Sequence, residues 1–206
     1  LLMATGTVSA EKSPGKYCDT ASRCINPITK YGAVTSPNYL ASVAGLEVLQ
    51  KGGNAVDAAI AVASTMNVVY PQMTTLGGDN FWLIYNAKTK EVKALNASGR
   101  AGELATIDFY KKKGYDKIPS RGYLAANTVP GTVSGWDAAH KYARANMSNA
   151  GLPWKDLFDS AILYSQKGFP VTASLARWEE INVDPKDSEF RNLQRFSGFK
   201  QTYLKP

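Results

Sequence analysis

The chain has 206 residues, of which 44% are hydrophobic and 20% are charged, and its formal net charge is +7. This length and composition fit one globular domain with a substantial core and exclude a long disordered chain. No apolar stretch reaches the roughly 20 residues of a membrane-spanning helix, so no membrane span is predicted. The basic residues are scattered, and their densest cluster, at 111–113, is expected to end a helix. No nucleic-acid partner is therefore predicted.

Residues 1–30 are predicted to form a polar N-terminal arm, followed by one domain over residues 31–206. The first ten residues resemble the end of a secretory signal peptide but lack its charged start and a full apolar core. Cys18 and Cys24 allow a local disulfide in an exported protein and, equally, two free thiols in a cytosolic one. The sequence thus leaves the compartment open, because periplasmic, secreted and cytoplasmic locations all fit.

The first part of the domain is predicted to form two helices joined by a glycine pair. After a short strand predicted over 32–35, a helix is predicted over 38–50. Its predicted inward stripe is Leu40, Val43, Ala44 and Val48. The glycines at 52–53 end this helix, because glycine adopts the left-handed conformation without a Cβ penalty. Asn54 is predicted to cap a second helix that runs to about Val69. The narrow apolar face of this second helix is predicted to consist of Ala55, Ala58, Ala59, Val62, Ala63 and Met66.

The rest of the domain is predicted to contain a hairpin and further helices. Strands are predicted over 81–85 and 92–96, with a turn at 86–90 between them, which makes an antiparallel hairpin. Helical segments are predicted over 106–113 with Thr106 as the cap, over 131–142, and as polar turns from 172 to about 196. Between them an amphipathic helix is predicted that has Pro153 in its first turn and ends at Gly168. Helices combined with an antiparallel hairpin predict an α/β (α+β) fold with layered packing.

The chain carries four motifs in a fixed order. They are TSPNYLAS at 35–42, GGNAVDAAIA at 52–61, VVYP at 68–71 and VPGTVSGW at 129–136. An ordered set is specific where any single motif is weak. From about residue 31 to about residue 203, the chain resembles the γ-glutamyltranspeptidase family of N-terminal-nucleophile (Ntn) hydrolases. The resemblance implies that residues 31–206 are part of that family's large subunit, and that they form part of an αββα sandwich completed by a second chain.

The resemblance also implies the reaction and the partner. In this family a threonine at a newly formed N-terminus attacks an amide, with its own amine as the base, and no metal or organic cofactor is needed. The family's T-T-H-x-S-like motif is missing here, because the only threonine pair, Thr74 and Thr75, precedes Leu76, and the one histidine, His140, lies in a predicted helix. No catalytic residue and no metal site are therefore predicted in this chain. The nucleophile is expected on a separate small subunit cut from the same precursor.

Ser98 and Arg100 are the candidate substrate-binding residues. The family holds the α-carboxylate of its γ-glutamyl substrate with an arginine in a segment resembling L-D-F-R-E-x-A-P. The matching segment here, LNASGRAG at 95–102, puts Ser98 at that position and Arg100 two residues later, which in a strand is the same face and roughly 7 Å away. Arg100 is expected either to bind an anionic substrate or to donate hydrogen bonds to loop carbonyls. In a third interpretation the pocket takes something other than glutamate, and Ser98 is a weak polar contact.

Two further alternatives bear on function. The family has four glycines where this chain has Gly77, Gly78, Asp79 and Asn80, and we expect close backbone packing here rather than direct ligand binding.

The predicted activity is cleavage of a γ-glutamyl compound or a related small amide, by hydrolysis or by transfer to an amine. The competing hypothesis is a non-catalytic binding protein that keeps only part of the fold. A partner chain that begins with threonine separates the two.

Overall fold

The computed structural model describes residues 32–120, 124–125, 127–182 and 196–203. The predicted arm, with Cys18 and Cys24, lies outside these residues, so its boundary at residue 30 stays a prediction. A compact unit begins at Val34 and contains every element named below. The strand predicted over 32–35 is wrong: no described strand lies beside this segment to pair with it.

The described elements mix helices with one antiparallel pair of strands, as the predicted fold class requires. In chain order they are α1 (Tyr39–Gln50), α2 (Ala55–Val69), β1 (Asn80–Asn86), β2 (Glu91–Ala97), α3 (Ile107–Lys112), α4 (Thr132–Asn146), a 3₁₀ helix (Trp154–Leu157), α5 (Asp159–Lys167), α6 (Ala173–Asn182) and α7 (Ser197–Tyr203). The helix predicted up to Gly168 is not one continuous helix. It is broken at Phe158, whose φ of −110° and ψ of 0° leave the helical region and separate the 3₁₀ turn from α5.

Side-chain caps set the starts of the first two helices. The Asn38 side chain accepts a hydrogen bond from the Leu40 N–H at 2.9 Å at the start of α1. Asn54 caps α2 as predicted, and Asp57 completes a capping box by accepting from the Asn54 N–H at 3.0 Å. Gly52 between the helices has a φ of +91°, which only glycine adopts without strain. The sharp α1–α2 junction is therefore encoded locally.

Helices α1 and α2 pack closely because small residues line their contact. A Cβ atom on Gly45 would lie only 2.6 Å from Val62 Cγ2 and 2.8 Å from Val34 Cγ1. The predicted stripe of α1 is wrong at Val43, which is exposed. The predicted face of α2 is too narrow and wrongly includes exposed Ala55, because α1, α4, α5 and the 3₁₀ helix all contact α2. Its buried residues are Val56, Asp57, Ala58, Ile60, Ala61, Ser64, Thr65, Met66 and Val69.

The hairpin has one covered and one open face. Its register runs from Asn80 opposite Ala97 to Asn86 opposite Glu91. Helix α4 packs on one face, where Ile84 is buried and Trp82 contacts the core. The large side chains of the other face are between 58% and 81% exposed, and they are Phe81, Leu83, Tyr85 and Val92. No described element covers this apolar face.

A buried carboxylate joins α2, α4 and the loop that follows α4. Asp57 Oδ2 accepts from the Asn54 N–H and from the Leu152 N–H at 2.8 Å. His140 Nε2 lies 3.6 Å from Asp57 Oδ1 and 3.1 Å from the Leu152 carbonyl oxygen. The His140 ring packs on Trp154, with 5.5 Å between ring centroids. His140 is thus a buried core residue that helps to hold these elements together.

Candidate substrate-binding groove

A groove lies where the end of β2 faces the beginning of α4. It encloses about 510 Å³ and has both apolar and polar walls. One wall is formed by Leu95, Asn96, Ala97, Ser98, Gly99 and Arg100, and the other by Val129, Pro130, Gly131, Ser134, Gly135 and Ala138. The first wall contains both residues that the sequence singled out as substrate-binding candidates. All of the second wall except Ala138 belongs to the VPGTVSGW motif, which the sequence marked only as a family motif.

Three glycines allow the two walls to approach each other. A Cβ atom on Gly99 would overlap the Val129 carbonyl oxygen, and one on Gly131 would overlap the Ala97 carbonyl oxygen. A Cβ atom on Gly135 would overlap the Asn80 side chain and would lie 2.5 Å from the Cβ of Ala97. Backbone therefore lies against backbone, and the groove keeps its shape only while these positions lack side chains.

Gly78 and Asp79, the two residues before β1, connect the two walls of the groove by hydrogen bonds. The Gly78 carbonyl oxygen accepts from the N–H groups of Gly131 and Thr132, each at 3.0 Å. Asp79 Oδ1 accepts from the Gly99 N–H at 2.7 Å. Gly78 thus has the backbone-packing role that the sequence predicted. The role of Asp79 was missed, because only the fold brings it next to a residue twenty positions later.

Asn80 anchors the α4 wall. Its Nδ2 donates to the Thr132 carbonyl oxygen at 2.6 Å, and its Oδ1 accepts from Trp82 Nε1 at 2.6 Å. Ser134, another residue that sequence reasoning missed, lines the groove and donates from Oγ to the Gly131 carbonyl oxygen at 2.8 Å. These bonds fix the first turn of α4, which has no side-chain cap of its own.

Ser98 and Arg100 follow β2 rather than lie within it, so the same-face spacing of a strand does not apply to them. The strand ends at Ala97, where the Ser98 N–H donates to Asn96 Oδ1 at 2.9 Å and turns the chain. The Arg100 carbonyl oxygen accepts from the Val129 N–H at 2.8 Å. Both side chains are exposed, and the Arg100 guanidinium makes no ion pair or hydrogen bond with any residue that the structure describes. Contacts of this guanidinium with loop carbonyls, the other expected role, are absent among the described residues.

Comparisons with known proteins place the chain in a family. A family model described as Gamma-glutamyltranspeptidase matches residues 41–205. The chain belongs to this family. The match extends over the groove, over the three later sequence motifs and over the last two residues of the earliest one.

Relatives of this gamma-glutamyltranspeptidase family member include proenzymes and a solved structure. The chain is 49% identical over 152 residues to the glutathione hydrolase-like YwrD proenzyme of Bacillus subtilis, covering 73% of this chain and 27% of the relative. It is 41% identical over 177 residues to the oxamate amidohydrolase proenzyme of Klebsiella pneumoniae, covering 86% of this chain and 31% of the relative. The crystal structure of Helicobacter pylori gamma-glutamyltranspeptidase matches with a TM-score of 0.71 and 30% identity, covering 88% of this chain and 48% of that chain.

The chain spans less than a third of these two curated relatives and about half of the solved chain. Its helices and hairpin therefore form part of the gamma-glutamyltranspeptidase fold, as the sequence predicted. Thr74 Oγ1 donates to the Tyr70 carbonyl oxygen at 3.2 Å, and Thr75 Oγ1 accepts from the Gly77 N–H at 3.1 Å. The threonine pair thus makes local loop contacts.

Among the described residues, no group of three or more His, Cys, Asp or Glu side chains is arranged to hold a metal ion. None of the described helices is both long and apolar enough to cross a bilayer.

Proposed function

We propose that this chain is the N-terminal part of the large subunit of a gamma-glutamyltranspeptidase-family amidohydrolase or acyltransferase. In this proposal the groove between β2 and α4 binds the carboxylate end of a small amide substrate. The observation that carries it is the Arg100 guanidinium, which stands exposed and unpaired among the described residues at the wall of a groove of about 510 Å³. Family membership supplies the reaction class.

The chemistry would be acyl transfer through a threonine that this chain does not provide. The threonine hydroxyl adds to the amide carbonyl carbon while its proton passes to the threonine's own amine. The C–N bond then breaks, the leaving amine takes that proton, and an ester joins the acyl group to the threonine. Water releases the acid and restores the hydroxyl, whereas an amine in place of water gives transfer.

The residues of the groove favour an anionic substrate. A guanidinium has a planar set of donors that pairs with a carboxylate in a bidentate, charge-assisted manner, which a serine hydroxyl cannot do. Ser98 and Ser134 add neutral hydroxyl groups to the walls, and Leu95 and Val129 add apolar surface. One relative is named an oxamate amidohydrolase and another glutathione hydrolase-like. A small amide that carries a carboxylate, such as oxamate or a γ-glutamyl compound, is the substrate class that we propose.

The open face of the hairpin supports assembly with further protein. Phe81, Leu83, Tyr85 and Val92 form a contiguous apolar face opposite α4. A two-stranded hairpin with one bare apolar face is marginally stable in water, since sheets of this kind need a covering layer. We propose that the second sheet of the αββα sandwich, which includes the small subunit that begins with threonine, packs on this face.

The experiment is expression of the full-length precursor, followed by intact mass and N-terminal sequencing of the purified protein. Initial rates of ammonia release are then measured with oxamate and with oxamide, and glutamate release is measured with glutathione. A second polypeptide that begins with threonine, together with ammonia release from oxamate, is the expected result. A protein without such a polypeptide and without amidase activity contradicts the proposal and favours the non-catalytic binding protein.

A further inference from the structure

We infer that Asp79 is a positioning residue for the groove, whose carboxylate fixes the turn that carries Ser98 and Arg100. The inference rests on the proposed function, because it assigns to that turn the task of presenting Arg100 to an anionic amide. Asp79 is not expected to touch the substrate. It acts through the backbone of Gly99, which lies between the two candidate binding residues.

The contact is specific and short. Asp79 Oδ1 accepts from the Gly99 N–H at 2.7 Å, across twenty positions of sequence. Hydrogen bonds to an ionised acceptor are shorter and about twice as strong as those between neutral groups. Gly99 also meets the Val129 carbonyl oxygen so closely that a Cβ would overlap it. The Gly99 peptide therefore contacts both the Asp79 carboxylate and the Val129 carbonyl.

The Asp79 charge is directed at the backbone and leaves the Arg100 guanidinium available. No ion pair joins Asp79 to Arg100 among the described residues, although Arg100 follows Gly99 directly. A paired guanidinium would have to give up its partner before it bound a substrate carboxylate. Binding the Gly99 N–H lets Asp79 fix the turn without neutralising the cation.

Loss of Asp79 should shift the turn without unfolding it. The Ser98 N–H still donates to Asn96 Oδ1, and the Val129 N–H still donates to the Arg100 carbonyl oxygen. The opposite wall is anchored separately by Asn80. Asp79 therefore acts on one wall only, and its removal is expected to change the affinity for a carboxylate rather than the chemical step.

The test uses Asp79→Ala and Asp79→Asn in the full-length, processed protein, with oxamate and its uncharged analogue oxamide as probes. Asp79→Ala should raise the KM for oxamate about five-fold, with kcat and the KM for oxamide changed less than about two-fold, because one exposed charge-assisted bond is lost. Asp79→Asn keeps an acceptor oxygen and should restore most of the loss. Asp137→Ala, which removes an exposed aspartate paired with Lys141 on α4, is the matched control.

A second readout needs no turnover. Hydrogen exchange of the peptide that contains Gly99 should be at least about five-fold faster in Asp79→Ala than in the wild type, and close to wild type in Asp79→Asn. Unchanged exchange in Asp79→Ala overturns the inference, as does equal loss for oxamate and oxamide. If the wild type cleaves neither amide nor glutathione, the proposed function fails, and the exchange data still decide whether Asp79 fixes the turn.

Discussion

At the scale of single residues, Arg100 is the side chain on which the substrate proposal depends. Arg100→Ala in the full-length protein should raise the KM for oxamate about ten-fold or more, because a charge-assisted bond to a carboxylate contributes about 1.5–3 kcal/mol. The KM for oxamide should change less than about two-fold, since oxamide has no carboxylate to lose a partner. Steady-state ammonia release with both amides measures the difference.

The matched control is Arg144→Ala. The Arg144 guanidinium donates to the carbonyl oxygens of Ala150 and Leu152 at the far end of α4, and it is not among the residues that line the groove. It should leave both KM values near those of the wild type. Equal losses for oxamate and oxamide in Arg100→Ala would instead assign Arg100 a structural role.

Asp57 is the residue whose loss should most affect stability. Asp57→Ala leaves the buried N–H of Asn54 and the partly buried N–H of Leu152 without their acceptor, and it removes the carboxylate beside His140. The expected decrease in the free energy of unfolding is about 3 kcal/mol or more, measured by urea denaturation of the full-length protein.

Asp137 provides the comparison for this effect, because its pair with Lys141 is exposed on α4. Asp137→Ala should lower the free energy of unfolding by less than about 0.5 kcal/mol, as is usual for exposed ion pairs one helical turn apart. A similar small effect for Asp57→Ala would mean that the buried carboxylate does not hold α2, α4 and the loop together.

At the scale of elements, the close packing of α2 depends on small side chains on several of its sides. Ala61 is buried in the core, whereas Ala55 at the start of the same helix is exposed. Ala61→Leu should lower the free energy of unfolding by about 1–3 kcal/mol, because the added methylenes find no space. Ala55→Leu, the same change on the exposed side, should alter it by less than about 0.5 kcal/mol. Thermal and urea unfolding of both variants test this difference; equal effects would contradict the packing described here.

Local signals in the sequence predicted most elements but not their surroundings. The Asn54 cap and the glycine pair placed the end of α1 and the start of α2 almost to the residue, because caps act within one helical turn. The strand predicted over 32–35 is not formed, since strand pairing depends on residues distant in sequence that a local pattern does not contain. Val43 and Ala55 were predicted to face inward, but both are exposed. The periodicity of a helix does not tell how many other elements pack around it.

At the scale of the whole molecule, the exposed apolar face of the hairpin is the surface on which we propose that a second sheet packs. Leu83 stands in the centre of that face. In the full-length protein, Leu83→Glu should reduce the yield of processed, assembled enzyme by several-fold, because burial of the charge beneath a second sheet is unfavourable. Size-exclusion chromatography with densitometry of the separated subunits measures this yield.

Leu163→Glu is the control for Leu83→Glu. Leu163 is also an exposed leucine, but it lies on α5, away from the hairpin. Its substitution should leave the yield of assembled enzyme close to that of the wild type. An equal yield for the two glutamate variants would mean that no second sheet covers the hairpin face.

The sequence alone determined the family, the helix and strand types and the candidate residues Ser98 and Arg100, because ordered motifs, caps and turns are local properties of the chain. Only the tertiary structure decided that these two residues line a groove against the start of α4, that the Arg100 guanidinium stands unpaired among the described residues, and that Asp79 binds the Gly99 N–H. It also decided that Asp57 joins α2, α4 and the following loop. These contacts join residues from twenty to about ninety-five positions apart, and such pairings arise from the packing of elements, which no local pattern contains.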